Sequence, residues 1–448
     1  MFTKFSIPSI LNKYLSKELS PLDVAQECVL KYKKYNNLYK PLVTFDEENI
    51  VKQASKALDL ISKNIPIRPL EAIPIGIKDI FNTIDFPTQM GSSIWKDFMS
   101  GNDSRCVDSL KKNGGIIGGK TVTAEFAVHS LNETLNPHDI KLTPGTSSSG
   151  SAVAVLLGIF PVAIGTQTAG SIIRPASFCG VYGFKPSFGI IPRTGMLKTT
   201  DSLDTIGFFV SHQKNMRVVL DAIRVHGINY PYSFKAFADK KRQEKEKSER
   251  WRVGFVKTHT WEFSNLEVKT NLEKFISEIS KNSAIELKEI DLPAELVECH
   301  RFHEIIYNKS LSYYFKEEYK QKESISIEMK ELIENGNLIS PKDYKEALEY
   351  QTKLQKITDD FMRDFDVLIS LSTSTVAPLR EVKEMPDPSL MWTFLHVPSI
   401  NIPKFHSSKN LPFGLQLISR KYNDYLLLNF VDFMCEQELI PEGSSKPA

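Results

Sequence analysis

Residues 144–187, PGTSSSGSAVAVLLGIFPVAIGTQTAGSIIRPASFCGVYGFKPS, constrain the chain more than any other stretch. A run of small residues from Gly145 to Ser151 is followed by an apolar segment of helix-and-strand character from Ala152 to Ile164, and then by a second small-residue run from Gly165 to Ser171. A flexible Gly/Ser linker is excluded, because linkers and surface loops do not carry such apolar sequence between their glycines. The pattern predicts two serine-bearing turns joined by one short buried hairpin, an arrangement that brings two hydroxyls together in space. Glycine and serine in such turns let the backbone approach a bound molecule closely.

The remainder of the chain sets the bounds. Its 448 residues, 41% hydrophobic and 25% charged, have the composition of an ordinary globular protein and the length of one large α/β enzyme or of two to three average domains. Disorder over most of the length is excluded. A net charge of +2, from 56 basic and 54 acidic residues, gives no reason to expect nucleic acid or an anionic membrane as a partner. Five scattered cysteines (Cys28, Cys106, Cys179, Cys299, Cys435) contain no CxxC pair and read as reduced, buried thiols. Cys179, in an apolar Phe-Cys-Gly turn, reads as packing. The N-terminal sequence lacks the pattern of a secretory leader, and no stretch approaches ~20 apolar residues, so no membrane association is expected and the expected location is the cytoplasm.

Local signals place the elements. Ser20-Pro21-Leu22-Asp23 is a helix start, with a capping serine, proline in the first turn and an acid near the positive end of the dipole. A second helix is expected through Val51, Ala54, Leu58 and Ile61. Residues 73–80, IPIGIKDI, alternate in strand fashion and put Lys78 at the strand end. A lysine there is either an edge residue that snorkels to water or an ammonium held in a buried site so that it becomes a neutral base. Gly114 to Lys120 reads as a buried strand followed by a turn. The spacing Gly114…Gly119-Lys120-Thr121 also satisfies the phosphate-loop pattern GxxxxGK[ST], but Ile116-Ile117 occupies the turn where such a loop must expose its backbone. The mixed-charge run 236–250 reads as a solvated face or linker, since Glu244, Glu246 and Glu249 interleave its bases. Residues 299–365 read as helical. His300 and His303 have no third ligand at metal spacing and read as two histidines on a helix.

Taken together, Gly145-Thr146-Ser147-Ser148-Ser149-Gly150-Ser151, Gly165-Thr166-Gln167-Thr168-Ala169-Gly170-Ser171, and Phe178-Cys179-Gly180 followed by Gly183-Phe184-Lys185-Pro186 resemble the amidase signature family. Its members cut or transfer amides with a serine–serine–lysine triad. The two serines stand 24 positions apart, as in the family. Gly119-Lys120-Thr121 with Glu125-Phe126, the stretch Asp201 to Gly207, and the segments 398–403 and 411–418 extend the resemblance to roughly residues 10–215 and 365–438. It implies an α/β fold: a single domain over residues 1–448, with a large mixed central β-sheet flanked by helices on both faces. A variable helical insert at 225–365 would shape the substrate pocket.

The same resemblance assigns the chemistry. It makes Ser171 the nucleophile, Ser147 the bridging hydroxyl on a cis peptide, and Lys78 the base. The backbone N–H groups of Thr168, Ala169, Gly170 and Ser171 become the oxyanion hole, with Gln167 and Thr146 as substrate contacts. No metal and no cofactor are called for. The chain departs from the common family pattern at four positions: Gln167 replaces an aspartate, Ala169 and Thr146 replace glycines, and Arg174 stands one place later than the usual arginine. The function implied is hydrolysis of a carboxylic amide through a seryl-acyl intermediate, with a small-molecule amide as partner and a homodimer left open. Three alternatives remain: an amide synthase passing the acyl group to an amine, the glutaminase component of a tRNA-dependent amidotransferase, and a non-catalytic binding protein. Short, aryl, peptide C-terminal and fatty amides all remain open as substrates.

Overall fold

A computed structural model describes residues 2–246, 248–382 and 384–445; Lys247, within the charged run 236–250, lies outside the described residues. Eleven strands form one mixed sheet: β1 (Leu42–Phe45), β2 (Pro74–Lys78), β3 (Ile116–Thr121), β4 (Val162–Gln167), β5 (Tyr182–Lys185), β6 (Thr205–Val210), β7 (Trp251–Val256), β8 (Ile285–Ile290), β9 (Val367–Leu371), β10 (Ser399–His406) and β11 (Pro412–Ile418). Their order is β1-β3-β2-β4-β6-β5-β10-β11-β9-β7-β8. β2 runs parallel to both β3 and β4, while β4, β6, β5, β10, β11 and β9 pair antiparallel in turn. Every residue of β2, β3 and β4 is buried, as expected of strands covered on both faces. No helix among the described residues is long and apolar enough to cross a membrane.

The helix start at Ser20 is a full capping box, with the Ser20 hydroxyl accepting from Asp23 N–H while Asp23 accepts from Ser20. The expected hairpin between the two serine turns is instead a helix, Ser149–Leu156, followed by β4. Alanine and leucine are good helix formers, and Gly158, at φ +67°, and Pro161 break the chain between this helix and β4. The stretch 225–365 contributes the helices Leu266–Ile279, Cys299–Tyr314, Ile327–Leu338 and Pro341–Phe361, but also two strands. β7 and β8 extend the same sheet beyond β9, so this part of the chain belongs to one continuous core. β8 (IELKEI) escapes sequence reading because half its positions are charged. The charged run is also less free than expected: Lys245 pairs with the buried Asp366 at 2.7 Å, and Gln243 is buried.

The phosphate-loop spacing at Gly114–Thr121 has no loop behind it. Ile116–Thr121 is β3, and Lys120 Nζ is committed to Asp79 (3.0 Å), the carbonyls of Phe81 and Pro87, and Thr88 Oγ1 (2.9 Å each). Both ends of the Lys120–Asp79 pair are buried. Removing one partner of such a pair leaves an uncompensated charge, so Lys120→Met is expected to cost about 3–5 kcal/mol of stability, read from denaturant unfolding.

Candidate active site

The site forms where parallel neighbours β2 and β4 end side by side. Ile77 pairs with Ile164, so Lys78, the last residue of β2, falls level with Gly165, two residues before the end of β4. Lys78 is fully buried. Its Nζ lies 2.8 Å from Ser147 Oγ, 2.9 Å from Thr166 Oγ1 and 3.0 Å from Ser148 Oγ. Among the described residues no carboxylate pairs with it. Burial holds its pKa well below the usual lysine value, opposed only in part by the charge of Asp204. A neutral amine has two N–H donors and one lone pair. The Ser148 hydroxyl gives its proton to the Thr166 carbonyl (3.1 Å), so it receives from Lys78. Ser147 has no other side-chain partner among the described residues, and its proton is free to meet the lysine lone pair.

Ser147 sits on a turn whose Thr146–Ser147 peptide is cis. Gly145 holds the turn at φ +85°, and a Cβ there would stand 2.8 Å from Pro175 Cα. Only glycine lets this turn close against the helix Ile173–Cys179 that follows Ser171. Arg174 Nη2 completes the junction by donating to the Thr146 carbonyl at 2.8 Å. Thr146, expected as a substrate contact, is thus engaged through its backbone. Its side chain makes no hydrogen bond among the described residues.

The second turn runs from Thr168 to Ser171. Among the described residues no acceptor takes the backbone N–H of Thr168, Ala169, Gly170 or Ser171, although all four residues are buried. Unpaired buried N–H groups are rare, and four in succession form a concentrated donor site. No side chain hydrogen-bonds the Ser171 hydroxyl either, again among the described residues. Ala169 has a negative φ, so its methyl is accommodated without strain.

Gln167, also expected as a substrate contact, is placed elsewhere. It is fully buried beneath the turn. Its Oε1 accepts from the N–H groups of Ile172 (2.8 Å) and Ile173 (2.9 Å), and its Nε2 donates to Thr393 Oγ1 (2.8 Å). Thr393 in turn donates to the Ala169 carbonyl at 2.7 Å. Gln167 is therefore a brace for the turn. The aspartate usual at this position has no donor with which to reach Thr393.

Several further residues hold the turn. Asp204 accepts from the hydroxyls of Thr168 (2.8 Å) and Thr199 (2.5 Å) and from the N–H groups of Thr199 and Thr200, fixing the start of the turn. His303 Nε2 lies 2.9 Å from the Thr168 carbonyl, and burial pushes its pKa down to about 4. It is therefore more than one of two histidines on a helix. Arg174 pairs with Asp387 (2.8 Å) and Glu384 (2.9 Å). Burial works against its charge, but the two carboxylates outweigh that and keep it cationic. Any side chain at Gly170 would collide with the Asp387 carboxylate. His129 keeps accessible surface beside Tyr307, with ring centroids 6.1 Å apart, and has no hydrogen-bond partner among the described residues. Asp204 falls within the family-like stretch Asp201 to Gly207; Asp387 and Thr393, in DPSLMWTF, offer no signal in the sequence.

Comparison with known proteins identifies the family and the fold. The profile of the Amidase family matches residues 23–428. The A subunit of glutamyl-tRNA(Gln) amidotransferase from Coxiella burnetii (strain Dugway 5J108-111) is 30% identical over 453 residues, covering 92% of this chain and 93% of that protein. Its counterpart of the same name from Alkaliphilus metalliredigens (strain QYMF) is 28% identical over 480 aligned residues, covering 97% and 96%. In fold, a crystal structure of an amidase superposes with a TM-score of 0.86 at 22% identity, over 97% of this chain and all of that one. The native peptide amidase from Stenotrophomonas maltophilia superposes with a TM-score of 0.82 at 20% identity, over 100% and 99%. The chain belongs to the amidase signature family.

Proposed function

We propose that the protein hydrolyses the C–N bond of a small polar carboxylic amide through an acyl-Ser171 intermediate, releasing ammonia or an amine. The observation that carries this reading is the 2.8 Å contact between the buried Lys78 Nζ and Ser147 Oγ, together with a serine turn whose four N–H groups have no acceptor among the described residues. In the proposed sequence Ser171 Oγ attacks the carbonyl carbon. Its proton passes to Ser147 as Ser147 passes its own to Lys78. Charge developing on the carbonyl oxygen meets the N–H groups of residues 168–171, fixed in place before reaction. Lys78 then returns a proton through Ser147 to the amide nitrogen, the C–N bond breaks, and the amine leaves. Water, deprotonated along the same path, attacks the ester and restores Ser171 with release of the acid.

The surroundings favour a polar substrate. Arg174, His303 and the Asp387 side chain are buried and already paired, but the exposed His129, with no hydrogen-bond partner among the described residues, and the half-buried Glu384 lie near them. A long alkyl chain would strip these two of water without replacing its hydrogen bonds. Ammonia release from a panel of amides is expected to be at least about tenfold faster for short polar amides, such as glutamine or asparagine, than for long-chain fatty amides. Preferred turnover of the fatty amides would overturn the assignment of substrate class.

One further reading has a specific observation behind it: relatives aligned over more than nine-tenths of the chain are the A subunits of an amidotransferase. In that reading the acyl donor is glutamine and the nitrogen is handed on within an assembly. Ammonia release from glutamine would then be slow for the isolated protein and rise when partner proteins are added. Full activity of the isolated protein would dismiss it.

A further inference from the structure

We propose that His303 is a positioning residue of the oxyanion hole, its Nε2–H holding the Thr168 carbonyl so that the Ala169 N–H faces the oxygen of the reacting amide. The inference rests on the serine-nucleophile reading above. Its argument is the geometry of three consecutive peptide planes. In a trans peptide the C=O of one residue and the N–H of the next point in opposite directions, and the peptides from Thr168 to Ser171 are all trans. A partner that grips each carbonyl therefore aims the following N–H the other way.

All three carbonyls are gripped. His303 Nε2 holds that of Thr168 at 2.9 Å, Thr393 Oγ1 that of Ala169 at 2.7 Å, and Arg174 N–H that of Gly170 at 2.9 Å. Each N–H of Ala169, Gly170 and Ser171 consequently points away from the partner that grips the preceding carbonyl, and no protein acceptor among the described residues meets it. The Gly170 carbonyl is held by the helix itself and that of Ala169 by the Gln167–Thr393 brace. Only the Thr168 carbonyl depends on a residue from the 225–365 stretch.

The acceptor is a carbonyl, which has no proton to give, so the Nε2 of His303 carries the hydrogen. His303 is buried, and its ring stacks on Tyr307 one turn along the same helix, with centroids 5.6 Å apart. The imidazole has little freedom to turn away. The same helix is bolted to the opposite wall through His300, whose Nε2 lies 3.1 Å from the Asp387 carbonyl. The helix Cys299–Tyr314 thus supplies a contact to the catalytic turn.

The test is the rate at which a fluorophosphonate phosphonylates Ser171, resolved into kinact and KI, in the wild type, His303→Leu and His303→Gln. The phosphoryl oxygen occupies the place of the oxyanion. His303→Leu is expected to lower kinact by about 10- to 100-fold with KI within about threefold, as for loss of a donor's alignment. His303→Gln keeps an N–H of similar reach and is expected to stay within about threefold of the wild type. Where the leucine variant fails to fold, His303→Met serves as the donor-free comparison. Equal loss in the glutamine and donor-free variants, loss confined to KI, or no loss would overturn the inference. A wild type that takes no label at Ser171 would instead overturn the nucleophile reading, and the inference with it.

Discussion

Replacing Ser171 by alanine is expected to abolish acyl-enzyme formation and to lower amide turnover on the order of 10⁶-fold, leaving only the small rate that binding and oxyanion donors supply. The expectation follows from how the hydroxyls divide the work. Ser147 is engaged with Lys78 at 2.8 Å, and Ser148 is tied to the Thr166 carbonyl, so neither is free to attack. Of the three, only Ser171 combines a hydroxyl unpartnered among the described residues with flanking N–H groups that have no acceptor among them. The variant should fold as the wild type does, because the hydroxyl removed makes no hydrogen bond among the described residues. Progress curves with a short amide, together with intact mass during turnover, check this. A variant that still accumulates an acyl adduct would place the nucleophile elsewhere.

Replacing Lys78 by methionine is expected to act in opposite directions on rate and on stability. Loss of the base lowers turnover by about 10³- to 10⁴-fold. In the wild type the amine works only when neutral, so activity falls as pH drops through its lowered pKa; in Lys78→Met that acid limb disappears. Stability follows from the same burial. The folded pKa is lowered, chiefly by desolvation, while the unfolded chain titrates near ~10.4. Between these values the unfolded chain binds more protons, so the wild type gains stability as pH rises through the window and holds that gain fully only above the unfolded pKa. Methionine fills similar space without a proton to lose, and the variant should be the more stable at neutral pH. Thermal unfolding of both proteins at neutral and alkaline pH reads this out, with the difference narrowing as pH rises. A less stable variant would mean that the ammonium is charged and paired in the fold.

The places where sequence reading succeeded share a local cause. Alternation in IPIGIKDI predicts β2 and puts Lys78 at its end, and the two small-residue runs mark the turns before the helix Ser149–Leu156 and after β4. Ser20 and Asp23 announce a helix start that the fold builds as a capping box. The misreadings have a different physics. The segment from Ala152 to Ile164 is strongly apolar, and periodicity within so short an apolar run does not separate a helix followed by a strand from a buried hairpin. β8 is half charged because it lies at the sheet edge. Gln167 and His303 take their roles from partners 226 and 135 positions away in the chain. No local pattern records contacts of that range. Asp387, wedged against Gly170, stands in a loop between elements and reaches the turn only through the folded chain.

The central claim is that Lys78, Ser147 and the turn ending in Ser171 form one activated-serine site. Reaction of the intact protein with a fluorophosphonate, followed by mass determination of the whole chain and sequencing of the labelled peptide, tests it most directly. A single adduct on Ser171, absent in Ser171→Ala and formed far more slowly in Lys78→Met, is the predicted result. An unlabelled wild type, or an adduct on another residue, would contradict the account.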